Sequence, residues 1–389
     1  MESCSSDCSD VIAITRRCRT TQLLTEIRAS KAALSILIIV GLIQIVFEIA
    51  LGGFASFPDT EEYIETVNWY KDGSGDEYPL RIQRPLQIAA ALALEPLLGV
   101  TNSFVLINSI LYISSVLFFY LFSKRILGND RDAMVSALLF ELSFCVVYWG
   151  LALLTDMLVW CVMCVSFYLL SRIQSSWNSK DIYALAIVVG IGMLNKESVA
   201  AAGLILIVML AWKGYHRLNG RLRAMLEIIP PVLLMGAPFL AVQLAIMIYF
   251  GPGYSFFDYH LFHNTSDLRG AMWYLPVTFV IAFNILLVLY ALGIREFLRK
   301  NAMFTRARYL VYLAIVLLPV VAFEQYSPRL SYLVFPFVIP VAAVGLRKLP
   351  KVGANDDWAL AIVVALGILA NFAALFGDQL RDILGIWSR

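Results

Sequence analysis

The sequence predicts an all-helical, polytopic membrane protein of about eleven transmembrane helices, with interfacial helices in its first outer loop. Three observations predict it. Of 389 residues, 60% are hydrophobic and only 15% charged, against about 45–50% and about 25% in soluble domains. Apolar runs of spanning length recur along the chain, each near the roughly 20 residues a bilayer demands. Third, the lysines and arginines gather in alternate loops, which is the bias that sets orientation. The 13% aromatic content excludes a disordered chain. A net charge of +2, from 30 cations and 28 carboxylates, argues against a nucleic-acid binder.

Taken in order, residues 1–31 form a cytoplasmic tail carrying Arg16, Arg17, Arg19, Arg28 and Lys31. The first twenty residues are polar and charged, so no cleavable signal peptide is expected. A first span covers 32–54, and a long polar outer loop runs over 55–102. Within it Leu86–Val100 is apolar but short and carries Glu95, so it is read as an interfacial helix. Letting it cross would put the basic loop of Lys124, Arg125 and Arg131 outside and invert every later loop. Span 103–122 follows, then 133–171 and 183–212, each long enough for two spans with a tight turn. Further spans are expected at 225–250, 272–292, 309–323, 330–346 and 357–377. This assignment holds 22 of the 30 cations inside, with the C-terminus outside. The chain divides into the tail 1–31, a membrane module 32–346, and a last span with a short outer tail, 347–389. Of six cysteines, Cys4, Cys8 and Cys18 lie in the tail and Cys145, Cys161 and Cys164 in spans, which does not support a disulfide framework.

The cations left outside are informative because they break the bias. Arg81 and Arg84 lie three apart, so one helical turn presents both on one face, and Pro85 is suited to open the helix that follows. Paired guanidiniums suit a phosphate, which arginine grips with two bonds; a headgroup anchor is the plainer alternative. Lys196 and Glu197 interrupt an apolar stretch, and Asp156 lies between two others; ionisable groups at such depth are expensive and mark function by default. Arg329, Tyr332 and Pro336 follow Glu324 at helical spacing. Asp59 lies at the mouth of the first span behind Pro58. It can serve chemistry, or it can cap the next helix with Glu62 three residues on. His260 and His263 make a lone His-x-x-His on the loop 251–271, the weak candidates for a divalent metal.

These residues resemble the GT-C superfamily of integral-membrane glycosyltransferases, in the branch of the protein O-mannosyltransferases and the lipid A aminoarabinose transferase. The resemblance runs over most of 32–346. It rests on Pro58-Asp59-Thr60 with Tyr63, on Arg84-Pro85-Leu86, on Leu98-Gly99-Val100, and on the basic Lys124-Arg125-Ile126-Leu127-Gly128. Thr155-Asp156, Asn195-Lys196-Glu197 after Gly190-Ile191-Gly192, and Arg329 with Tyr332, Leu333, Pro336 and Pro340 complete it. Here Arg329 and Tyr332 are three apart where the family often has them adjacent.

The resemblance implies an inverting transfer of sugar from a polyprenyl-phosphate donor to a hydroxyl acceptor (lipid-linked, glycan or protein) at the extracytoplasmic face. It places the chain in a membrane, the cytoplasmic membrane in a prokaryote, with no nucleic acid and no cofactor. Asp59, with Glu62 and Asp156, is expected to be catalytic; Arg81, Arg84, Lys196 and Arg329 to hold the donor phosphate; Tyr63, Glu197, Tyr332 and Glu324 to position substrate. A transporter or flippase of a lipid-linked glycan is the alternative. It would share the phosphate-binding cations but should carry inverted repeats, and none is legible.

Overall fold

With no water in the bilayer core, backbone polar groups must bond to one another, and an apolar chain does so as helices. The computed structural model describes residues 31–50, 54–73, 78–217, 221–254, 256, 275–301, 305–322, 327–349, 361–363 and 365–369. Among these residues the regular structure is helical throughout, without a strand. The N-terminal tail and most of the expected last span lie outside the described residues.

The first span forms α1 (Lys31–Ala50). The outer loop supplies α2 (Pro58–Asp72), the single turn α3 (Pro79–Ile82) and α4 (Pro85–Leu98). Pro85 opens α4 as expected, and Gly99, at φ 75°, turns the chain sharply into α5 (Val100–Leu127). At 14 residues α4 is about 21 Å long, short of the roughly 30 Å hydrocarbon core, in keeping with an interfacial helix. Beyond α5 come α6 (Asp130–Glu141), α7 (Asp156–Ser176), α8 (Ser179–Met193), α9 (Ala200–Arg217) and α10 (Arg221–Phe250). The last described helices are α11 (Leu275–Phe283), α12 (Ile285–Lys300), α13 (Arg306–Ala322), the turn α14 (Pro328–Ser331) and α15 (Phe335–Leu346).

Five helices among the described residues are long and apolar enough to cross a bilayer, and a bent pair makes six. Among the described residues, the other expected spans are shorter or broken. The stretch read as two clean spans over 133–171 ends its first helix at Glu141, passes through a π-helical turn at Val146–Gly150, and loses regular structure over 151–155. Non-helical backbone at membrane depth is tolerated where protein buries it, and residues 150–156 are all buried. The stretch 183–212 breaks between Met193 and Ala200. The expected span 272–292 is bent by 90° between α11 and α12. Asn284 sits at that break with φ 38°, and its Oδ1 accepts from the Ile285 N–H at 2.6 Å.

The core lies where α5, α6, α7 and α15 meet. Phe119, Phe140 and Phe335 form its centre with ring centroids 4.8–5.4 Å apart, spacings at which ring quadrupoles attract. In lipid, helices associate through close packing more than through apolar burial. The contact between α12 and α15 is the extreme case. A Cβ on Gly345 would overlap the Leu289 carbonyl, and one on Gly293 would overlap that of Val341. Backbone cannot yield as a side chain does, so Gly345→Leu should cost at least about 3 kcal/mol by overpacking. Thermal unfolding of the purified protein in detergent checks this, and an unchanged melting temperature would contradict the observed helix contact.

Candidate active site

Five separated segments bring their charges together. The first is α2, whose start is set by Pro58 at the first helical position, where a proline lacks only an N–H the helix does not use. That fixes Phe57 as the cap residue: its N–H donates to Thr60 Oγ1 at 3.0 Å, while the Thr60 N–H donates to the Phe57 carbonyl at 2.8 Å. Asp59 is therefore not the cap, and Glu62 does not close a capping box, because proline moves the helix start one residue ahead of Asp59. The Asp59 carboxylate is left for other partners.

Those partners are cations. Asp59 Oδ2 accepts from both Arg329 Nη1 and Nη2 at 3.1 Å, and Asp59 Oδ1 lies 3.2 Å from Arg81 Nη2. Arg81 Nε donates to Glu62 Oε2 at 2.8 Å, and its Nη1 donates to the Tyr63 hydroxyl at 3.1 Å. Arg329 Nη1 also reaches Asp156 Oδ2 at 3.4 Å, and Lys196 Nζ donates to Asp156 Oδ1 at 2.7 Å. Beside these, Arg84 Nη2 donates to Glu197 Oε1 at 2.9 Å. Four carboxylates and four cations thus balance. Burial would push the Arg81 guanidinium down in pKa, but Tyr63, Asp59 and Glu62 outweigh it, and the net shift is upward, so it stays charged.

Exposure separates their roles. The Asp59 and Glu62 side chains are about a third exposed, at 31% and 32%, whereas Asp156 is at 6% and Arg81 at 7%. Arg329 and Lys196 lie between, at 22% and 14%. The reachable carboxylate next to reachable cations is Asp59.

Not every expected residue joins the cluster. Tyr63 is buried, bonded to Thr155 Oγ1 at 2.8 Å, with the Arg81 guanidinium 4.5 Å from its ring centre. Its contact with the cluster is through Arg81. Tyr332 does not reach the site: it is fully buried, its hydroxyl 2.5 Å from Ser143 Oγ and its ring packed among Trp160, Phe283 and Phe335. The helical face shared with Arg329 breaks because Tyr332 enters a tighter 3-10 turn, Tyr332–Val334, beneath that cluster. Glu324, His260 and His263 lie outside the described residues. Among the described residues, no group of three or more His, Cys, Asp or Glu is arranged to hold a metal.

Other polar residues support the site from below. The irregular segment before Asp156 is pinned from several helices. Asn108 Nδ2 donates to the carbonyls of Ala152 at 2.7 Å and Leu154 at 2.9 Å, and its Oδ1 accepts from Gln87 Nε2 at 2.8 Å. Thr60 Oγ1 donates to the Leu153 carbonyl, and Asn195 Nδ2 to that of Thr155, both at 3.1 Å. An asparagine within an apolar span was the available sequence signal, since such residues join helices in lipid. Gln83, between Arg81 and Arg84, is 2% exposed, and neither of its amide atoms is hydrogen-bonded among the described residues. Asn108→Leu should lower stability by about 2–4 kcal/mol, because it strands buried carbonyls, and should slow turnover by loosening Asp156. Asn108→Asp, which keeps the shape but as a carboxylate cannot donate, should do equal harm. Melting temperatures and turnover of both variants check this.

An apolar cavity of about 650 Å³ opens nearby, walled by Leu142, Phe144, Ile281, Leu286, Val363 and Leu366 among others. Phe144 stacks on Tyr148 with centroids 5.2 Å apart, and Tyr148 meets Phe57 edge-on at 5.3 Å. An aromatic strip therefore joins the cavity to the start of α2, where Asp59 lies.

Residues 84–242 match the family described as dolichyl-phosphate-mannose-protein mannosyltransferase. No curated protein matches the sequence. Among solved structures, ArnT from Cupriavidus metallidurans bound to undecaprenyl phosphate is similar at a TM-score of 0.61 and 17% identity, over 86% of this chain and 64% of that one. The Archaeoglobus fulgidus oligosaccharyltransferase, in a complex with zinc and sulfate, is similar at 0.54 and 12%, over 88% of this chain and 53% of that one. The same organism's AglB, with an inhibitory peptide and a dolichol-phosphate, matches at 0.54 and 12%, covering 89% and 56%. The chain thus spans less than two thirds of the length of each. Family match and fold agree with the resemblance read from the sequence: this is an integral-membrane chain with the ArnT-like GT-C fold, and its residues 84–242 carry the mannosyltransferase family's pattern.

Proposed function

We propose that the protein is an inverting glycosyltransferase, moving a sugar from a polyprenyl-phosphate donor to a hydroxyl acceptor at the extracytoplasmic face. The observation that carries this reading is the pairing of Asp59, a reachable carboxylate, with Arg329, and through Asp156 with Lys196.

In this reading the acceptor hydroxyl gives its proton to Asp59 as its oxygen attacks the anomeric carbon. The bond from that carbon to the phosphate oxygen breaks on the opposite side, and the electron pair leaves with the polyprenyl phosphate. One displacement inverts the anomeric configuration. The phosphate gains a negative charge as it leaves, so cations fixed beside it stabilise the transition state more than the ground state. Arg329 and Lys196 have the exposure for that task, with Arg84 behind them held by Glu197. Arg81, buried among Glu62, Asp59 and Tyr63, keeps the base in place. The aromatic strip and apolar cavity supply a surface suited to an isoprenoid chain. The lipid phosphates bound to ArnT and AglB support a donor of this kind. Side-chain cations provide the charge stabilisation, and His260 and His263 are given no part in it.

The test is an assay of the purified protein with a polyprenyl-phospho-sugar and a hydroxyl acceptor. Polyprenyl phosphate should appear in step with a glycosylated product of inverted configuration. Retained configuration, or lipid crossing vesicles without cleavage, would overturn the proposal.

A further inference from the structure

At the far end of α7 from the charged cluster lies a charged cavity. The helix α7 runs from Asp156, in the cluster, to Ser176, so its two ends stand about 30 Å apart, the thickness of a hydrocarbon core. Where α5, α7 and α12 end together, a cavity of about 610 Å³ is walled by Lys124, Arg125, Lys300, Ser171, Gln174 and Ser175. Cations in the last turns of helices complement the helix dipoles, but dipoles alone call for no open cavity.

Comparison with the adjoining cavity is instructive. That one, of about 280 Å³, contains both signs: Arg347 pairs with Asp132, and Lys348 and Lys300 with Glu296. Among the described residues, the wall of the larger cavity holds three cations and no carboxylate. Lys124 and Lys300 bond to Asp130 and Glu296, but both carboxylates stand outside that wall. Arg125 Nη2 donates to Ser175 Oγ at 2.8 Å, which holds the guanidinium at the rim. Leu121, Ile126 and Leu127 continue the wall along α5, and Leu121 lies about 4–6 Å deeper than Lys124 and Arg125 by helical rise.

We infer that this cavity binds the headgroup of an anionic phospholipid of the cytoplasmic leaflet. The cations and hydroxyls meet the phosphodiester, and an acyl chain lies along the Leu121 side. The three cations belong to loops that the charge bias assigns to the cytoplasm, where basic pockets between spans recognise anionic lipids. The sugar-transfer reading is not needed for this site.

The full-length protein, reconstituted in discs of mixed phosphatidylglycerol and phosphatidylcholine, is released into native mass spectrometry. The wild type should retain phosphatidylglycerol selectively. The triple variant Lys124→Gln, Arg125→Gln, Lys300→Gln should lose that selectivity, roughly fivefold for each charge removed. Lys300→Gln alone, on a side chain 67% exposed, should fold normally and lower retention about fivefold. Equal retention of phosphatidylcholine by the wild type, or undiminished phosphatidylglycerol on Lys300→Gln and on the triple variant, would overturn the assignment. So would competition by millimolar inorganic phosphate, because the site would then belong to a soluble anion.

Discussion

Asp59→Asn should reduce turnover by roughly 10²–10⁴-fold, the range of a lost general base, with the fold intact. The amide keeps the size of the carboxylate, and its oxygen can still accept from Arg329. Near 31% exposure of the side chain, losing a charge there costs little stability, so the melting temperature should move by only a few degrees. Donor binding should hold, since the phosphate ligands remain. Glu62 is the necessary control, being as exposed as Asp59 but bonded, among the described residues, to Arg81 alone. Glu62→Gln should cost less than about tenfold, because it removes a support and not the proton acceptor. Equal losses in the two variants would move the base role to Glu62. Asp156→Asn should behave differently again: the carboxylate is 6% exposed and holds both Lys196 and Arg329, so stability and turnover should fall together. Thermal melts and single-turnover assays on the three variants separate these outcomes.

The charges of this site were legible because the rest of the chain is so apolar. In a membrane sequence every ionisable side chain away from the basic loops demands a reason, and four of the eight cations outside those loops, Arg81, Arg84, Lys196 and Arg329, meet Asp59, Glu62, Asp156 and Glu197. Arg84 and Glu197 pair across 113 residues, and Arg329 reaches Asp59 across 270. Their sign and sidedness could be read, but not which would touch. Backbone detail was hidden for a different reason. An apolar run reads the same whether it is helix or buried irregular chain, so the π-helical turn and the segment 151–155 looked like a tight turn between spans. Their true course depends on donors from elsewhere: Asn108, Gln87, Thr60 and Asn195, which are distant in sequence. Tyr332 was misjudged because its spacing from Arg329 suited a shared face. The aromatic cluster offers the ring a fully packed berth, and only the fold shows that the 3-10 turn delivers it there. Asp59 was readable as a cap because one residue decides where α2 begins, and Pro58 takes that decision.

Arg329→Gln should lower turnover by about 10²–10³-fold, the loss seen when one preorganised donor to a developing negative charge is removed. Stability should fall by less than the roughly 3–5 kcal/mol that follows when a buried ion is orphaned, because Asp59 retains Arg81 and Asp156 retains Lys196. Arg329→Lys should fall between wild type and Arg329→Gln. One ammonium keeps the charge but cannot spread over two carboxylates as a planar guanidinium does. The decisive measurement is Arg329→Gln in the Asp59→Asn background. Were Arg329 only a brace for the base, its removal would cost nothing further once the base is gone, and the cycle would be strongly non-additive. A guanidinium that meets the leaving phosphate acts on a different atom of the transition state, and most of its 10²–10³-fold must persist whether or not Asp59 can accept a proton. Residual loss below about threefold in the double variant would make Arg329 a positioning residue and leave Lys196 as the principal ligand of the leaving group.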